Sequence, residues 1–307
     1  MTRKERNAEK QKEIFQEQNK NEIRHTLKIV FIGTIIFAIL CALFFSYTTY
    51  ISTVKIGVRE YRIKSEKLPE SFNGLKIVQI SDLHYGSTMF YENVKKIINM
   101  TNDRKPDIVL FTGDLINKKY KLKTKEQEKL ISELKKIQPT LGKYAVEGDE
   151  DDELFNTIMN QSDFIILKNE YDLIYNNNNS PILLIGLSSL LKKQQDISKG
   201  FSYFLEETHN NNIFTIVAFH EPDSTKNITS NYEPDLLLAG HSHNGNIRIP
   251  FIKKAFSKKQ GAKKYDQDYY SIGKSNLYIS SGLGTNSKNS IRLFCRPSIS
   301  FYRLSQK

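Results

Sequence analysis

The chain has 307 residues, 39% hydrophobic and 26% charged, which is enough apolar material for a packed core and excludes wholesale disorder or a low-complexity architecture. Two cysteines rule out a disulfide scaffold and any thiolate zinc cluster. Forty-five Lys and Arg against 34 Asp and Glu leave +11, which points to an anionic partner: nucleic acid, a phosphate-bearing substrate or a membrane surface.

Residues 1–28 form a polar leader with eight Lys or Arg, polar on every side and expected to be a solvated helix. From Ile29 to Val54 the chain carries 26 consecutive residues without a charge. At ~1.5 Å per helical residue such a run crosses a hydrocarbon core of about 30 Å, so residues 29–54 are expected to be a single transmembrane helix in a cell membrane. The basic leader would stay in the cytoplasm and the remainder lie outside, although Lys55, Arg59, Arg62 and Lys64 blunt the charge contrast.

Residues 55–307 are expected to form one domain. Short apolar runs predict strands at Lys76–Ile80, Asp107–Thr112, Tyr144–Val146, Phe164–Leu167, Ile182–Gly186, Phe214–Phe219, Asp235–Ala239, Leu277–Ser281, Ile291–Cys295 and Ile299–Leu304. Helical spacing predicts Glu92–Asn102, with Val94, Ile97, Ile98 and Thr101 on one face, and Lys125–Ile137, with Leu130, Leu134 and Ile137. Alternating β and α elements followed by a strand-rich end predict a mixed α/β layer structure with an additional sheet.

Five segments place polar residues just after apolar strands, where open α/β sheets present their ligands. They are IVQISDLHYG with Asp82 and His84, DIVLFTGDLIN with Asp114, YAVEGDEDD with Asp149, FTIVAFHEPD with His220, and LLLAGHSHNGN with His241 and His243. A spacing of two on an extended chain points both side chains of such a pair to one face. A lone strand-end Asp is usually a turn residue and a lone His usually structural. Four of the six histidines falling at strand ends is a pattern that those readings explain poorly. Imidazole and carboxylate donors without thiolate suit Mn, Fe or Zn.

The order Asp-x-His, Gly-Asp, a Gly-led polar motif, a lone His and Gly-His-x-His resembles that of the calcineurin-like metallophosphoesterases, from about residue 62 to the C-terminus. The lead-in EKLPESFNGLKIVQISDLH and the tail LYISSGLGTNSKNSIRLFCRPSI look like the membrane-associated bacterial branch, similar to enzymes that split UDP-2,3-diacylglucosamine. The resemblance implies a four-layer α-β-β-α sandwich and a centre of two divalent metal ions, Mn, Fe or Zn. Asp82, His84 and His243 would hold one metal, Asp149, His220 and His241 the other, and Asp114 would bridge them. It also implies in-line attack of activated water on a phosphodiester or pyrophosphate, here of a lipid-linked or envelope substrate.

The third motif departs from the family. Asp149 stands where Asn is usual, which adds a carboxylate and lowers the net positive charge of the centre. Glu150 stands where a His is usually given the job of protonating the leaving group, and cations nearby should keep a Glu ionised. The enzyme would then act on leaving groups that depart without a proton, or the domain would bind anionic lipid or polymer without cleaving it. Asp114, Asp149 and Glu150 are the candidate catalytic residues, and Arg248 is a candidate for touching a substrate phosphate. The six Lys between Pro250 and Lys264, interleaved with apolar residues, suit an anionic bilayer or headgroup. A nuclease or nucleotide phosphodiesterase is the rival reading. No aromatic-lined basic groove is legible, so nucleic acid is not an expected partner.

Overall fold

The computed structural model describes residues 2–177, 180–206, 212–246, 259–287 and 290–307. The chain divides into two compact units, residues 1–48 and 49–307. The first is one helix, α1 (Arg3–Ser46), which continues as a π-helical turn, Tyr47–Ile51. It runs through the polar leader and the apolar stretch without a break. No proline interrupts it, and Gly33 alone does not stop a helix of this length. The change at residue 28 is therefore one of polarity, not of backbone, and helical structure ends at Ile51, just short of the expected Val54. Phe31, Phe37 and Leu43 are all more than 60% exposed, unlike the apolar face of a soluble core helix.

The second unit carries, in chain order, β1 (Gly57–Ser65), β2 (Lys76–Ile80), α2 (Tyr91–Asn102), β3 (Ile108–Thr112), α3 (Thr124–Lys135), β4 (Gly142–Val146), α4 (Glu153–Gln161), β5 (Ile165–Ile166), β6 (Glu170–Ile174), β7 (Ile182–Gly186), α5 (Ile197–Gly200), β8 (Thr215–Ala218), α6 (Thr225–Thr229), β9 (Leu236–Ala239), β10 (Tyr269–Ile272), β11 (Ser275–Ile279) and β12 (Ser298–Gln306). They build two six-stranded sheets, ordered β1-β12-β2-β3-β4-β5 and β10-β11-β9-β8-β7-β6. The central strands β2, β3 and β4 are parallel, as are β7, β8, β9 and β11.

Both faces of these strands are covered, which explains their nearly unbroken apolar runs. Val78, Ile80, Val109 and Phe111 pack against Ile97, Leu130, Leu134 and Phe155 of α2, α3 and α4. Ile77, Ile108, Leu110 and Val146 turn the other way, onto Leu184, Ile216 and Leu238 of the second sheet. Leu183, Ile185, Val217 and Leu237 face Phe201, Tyr203 and Ile228 on the outer side. The result is the four-layer α-β-β-α sandwich. One polar residue crosses the middle. Gln79, fully buried on β2, donates to Thr112 Oγ1 and to the carbonyl of Ala239 on the second sheet, both at 2.9 Å, and accepts from Tyr302 Oη at 2.8 Å.

The strand pattern needs correction in two places. Ile291–Cys295 forms no strand: Arg292 turns inward to donate to the carbonyls of Ser281 and Gly284, and this takes the segment off any sheet edge. β1, with its alternating charges, had no apolar signature, yet it pairs in parallel with β12 over nine residues because β12 leaves that edge open. β6, β10 and α4 also went unanticipated. β6 and β10 are partly exposed edge strands, and α4 follows directly on the acidic run at 149–152.

Candidate metal centre

The carboxyl ends of parallel strands from both sheets supply the site. Asp82 and His84 follow β2, Asp114 follows β3, Asp149 follows β4, His220 follows β8, and His241 and His243 follow β9. Asp82 and His84 share the centre for a different reason than a pleat. Both lie past the strand with φ of 52° and 43°, as do Asp114 (59°), His241 (64°) and His243 (49°). Left-handed backbone at a non-glycine residue costs on the order of 1 kcal/mol or more and is tolerated where surrounding contacts impose it. Gly113, at φ 86°, opens the space: a Cβ there would lie 2.5 Å from His220 Nδ1 and 2.6 Å from Gly148 N.

Two groups of donors form. In one, His220 Nε2 lies 3.3 Å from Asp114 Oδ2 and 3.2 Å from Asp149 Oδ1, and His241 Nδ1 lies 2.8 Å from Asp149 Oδ1. In the other, His243 Nε2 lies 3.4 Å from Asp82 Oδ1 and 3.3 Å from His84 Nε2. Asp114 joins them, since its Oδ2 is also 3.6 Å from His84 Nε2. Each group could hold one cation.

The tautomers in the first group fit a cation well. His220 Nδ1–H donates to the carbonyl of Thr112 at 2.7 Å, and His241 Nε2–H to that of Gln260 at 2.6 Å. Each proton is thus used outward, and each lone pair faces the carboxylates. Asp114 Oδ2 and Asp149 Oδ1 are buried and have no hydrogen-bond donor. Lone pairs and carboxylate oxygens this close require a cation among them, whether protons or a metal.

The electrostatics say the same. Burial opposes charge on His220, but Asp114 and Asp149 outweigh it and raise its pKa well above the usual value. His84 is likewise raised, against its burial, by Glu150, Asp114 and Asp82. Burial would lift the carboxyls of Asp114 and Asp149; the facing imidazoles win and hold both far below the usual range. His243 is lowered by burial, Lys259 and Arg292, which keeps it neutral.

The structure brings together Asp82, His84, Asp114, Asp149, His220, His241 and His243, with Glu150 beside them. Arg248 and residues 250–258 of the lysine-rich segment lie outside the described residues. The described end of that segment does reach the site: Lys259 Nζ donates to the carbonyl of His241 at 3.0 Å.

Two supporting residues had no assigned role from sequence. Buried Asp151 accepts from the main-chain N–H of Asp114, Leu115 and Gly148, each at 2.8 Å, and so ties the second and third loops together. Burial and the charge of Asp114 push its carboxyl up to about 7, against the pull of those donors. Fully buried Arg292 has Nη2 3.0 Å from His243 Nδ1. An Arg inside the apolar run IRLFC was the available signal. A cleft of about 250 Å3 is lined by Tyr120, Leu154 and Phe155 together with Lys118, Asp149 and Glu150.

The chain belongs to the calcineurin-like phosphoesterase family, whose model matches residues 75–245, and it is a phosphoric ester hydrolase. It is 29% identical over 265 residues to the uncharacterized metallophosphoesterase YkuE of Bacillus subtilis, covering 85% of this chain and 89% of that one. It is 25% identical over 233 residues to the phosphodiesterase YaeI of Escherichia coli, covering 75% and 82%. Against the UDP-2,3-diacylglucosamine pyrophosphatase LpxG of Chlamydia muridarum the identity is 26% over 295 residues, covering 77% and 86%.

Proposed function

We propose that the chain is a membrane-anchored phosphoesterase with two divalent metal ions, Mn, Fe or Zn, that hydrolyses a phosphodiester or pyrophosphate bond of a lipid-linked or envelope substrate. The observation that carries this reading is the convergence of two His and carboxylate groups joined by Asp114, which belongs to one and lies 3.6 Å from His84 of the other. Asp82, His84 and His243 hold one cation, and Asp149, His220 and His241 the other. When bound, the pair supplies an activated water and neutralises charge on the phosphoryl oxygens. The chain's own part is to fix those donors on a rigid sheet edge and to aim their lone pairs inward, where a bound cation would take the place of protons.

Glu150 bears on the leaving group. Burial would lift its carboxyl, but His84 and the N–H of Lys118 prevail and hold it low, so it carries no proton to give at neutral pH. This favours a leaving group that departs as an anion, such as the phosphate of a pyrophosphate. The similarity to LpxG supports a diphosphate with a lipid-bearing sugar, and the exposed apolar α1 supports an anchor. The test is metal analysis of the full chain coupled to a panel of phosphomonoester, phosphodiester and nucleoside-diphosphate-lipid substrates. Two metals per chain and turnover fastest on the diphosphate are expected. Purification without Mn, Fe or Zn and no turnover of any ester would overturn the reading in favour of a binding protein.

A further inference from the structure

We infer that Glu150 is a positioning residue: its carboxylate accepts a hydrogen bond from the Nδ1–H of His84 and so turns the Nε2 lone pair of that ring toward Asp114 and His243. This rests on the reading of the site as a metal centre and adds to it what occupies the place of the family's imidazole.

The carboxylate is pinned. Oε1 accepts from Asn286 Nδ2 at 2.6 Å, and Oε2 accepts from Lys118 N at 3.3 Å. That leaves Oε2 3.4 Å from His84 Nδ1. His84 is fully buried, and its Nδ1 makes no hydrogen bond. Its other nitrogen already lies among the proposed ligands, 3.6 Å from Asp114 Oδ2 and 3.3 Å from His243 Nε2. A neutral imidazole that ligates through Nε2 must carry its proton on Nδ1, and a buried N–H needs an acceptor. Glu150 is the acceptor on that side. A small swing of the ring closes the 3.4 Å separation.

The three residues His84, Asp114 and Glu150 could also be read as a further cation site. That would use both nitrogens of His84 and require an imidazolate already shared with the first metal. A proton on Nδ1 satisfies the same two groups without that second ionisation. The ring stack of His84 on His243, 5.2 Å between centroids and 13° between planes, shows what the orientation controls. If His84 rotates, it loses both its aim at the metal and its packing on the neighbouring ligand.

The test titrates Mn(II) into the metal-free full chain in detergent, resolving the two sites by calorimetry and chelator competition. Wild type is compared with Glu150→Ala and Glu150→Gln. Removing a group that orients a ligating imidazole typically weakens metal affinity by 10- to 100-fold, so Glu150→Ala should lose about that much at one site and change the other by about 2-fold or less. Glu150→Gln keeps an amide oxygen that can accept the proton and should recover most of the loss. Thermal unfolding of the metal-free proteins checks the fold. If Glu150→Ala does not fold, Glu150→Met, of similar length and without an acceptor, replaces it. Unchanged affinity at both sites, or an equal loss at both, overturns the proposal. A wild-type chain that binds two Mn(II) yet cleaves no phosphoester would instead overturn the proposed reaction and leave the role of Glu150 intact.

Discussion

Glu150 and its neighbours show how a single side chain redirects a site whose other members are in place. With no proton available at that position, substrates with poor, basic leaving groups should suffer most. Glu150→His should therefore raise the ratio of alkyl to aryl phosphodiester turnover, on the order of 10-fold or more, since general acid catalysis typically contributes 10²–10⁴-fold. Taking the ratio cancels any change in metal loading. A ratio that does not rise would mean the leaving group is protonated from elsewhere. The histidines make a second prediction at this scale. His84 and His220 have raised folded values, so the stability they contribute is complete below about 6.5 and is lost as pH rises through those values. Asp151, raised to about 7, acts with the same sign between 3.8 and 7. Asp114 and Asp149 are lowered, so they lose their contribution only in strong acid. His243, lowered, is neutral in both states above 6.5 and adds nothing there. The melting temperature of the chelated protein should therefore fall as pH rises above 6.5, and saturating Mn(II) should abolish that fall by taking the place of the protons. A flat profile in chelator would show that the imidazoles are not protonated in the metal-free fold.

At the scale of elements, the site depends on two sheets meeting with their strand ends in register. The candidate ligands that follow β2, β3 and β4 meet those that follow β8 and β9, and Gln79 links the two layers three residues before Asp82. Replacing it with Leu removes acceptors and donors from Tyr302, Thr112 and Ala239 at once. An unsatisfied buried polar group costs roughly 1–3 kcal/mol, so Gln79→Leu should destabilise by about that much or more in denaturant titration. It should also loosen the centre, seen as a weaker Mn(II) affinity in the same protein. A loss of stability below about 0.5 kcal/mol would mean that water or repacking satisfies the partners. Element boundaries followed the apolar runs closely at β2, β3, β7, β8 and β9 because those strands are buried on both faces. β1 escaped because an edge strand needs no apolar pattern, and Ile291–Cys295 misled because its apolar run wraps a buried guanidinium instead of joining a sheet.

For the whole molecule, the charge of +11 has a different meaning once the carboxylates are placed. Asp82, Asp114 and Asp149 lie among the donors, where bound cations would outweigh them, and the field at the site would then be more positive than the formal count. Eight Lys and Arg belong to the leader and six Lys to residues 250–264. Together with the exposed apolar length of α1, this favours a membrane surface over a polynucleotide. The full chain should stay with membranes through high salt and alkaline carbonate and leave only with detergent. Release by salt would mean that attachment is electrostatic and that α1 does not span.

What the sequence by itself determined was local: apolar runs long enough to be buried strands, one run long enough to cross a bilayer, and the polar residue types that follow strands. Those features follow from burial and chain length and survive any arrangement of the strands. The tertiary structure alone decided which side chains meet. It set the left-handed turns that aim Asp82 and His84, and the outward hydrogen bonds that fix the tautomers of His220 and His241. It also placed Asp151 and Arg292 behind the candidate ligands and Glu150 on the Nδ1 side of His84. These are contacts between residues distant in the chain, set by how two sheets pack, and no spacing along one strand encodes them.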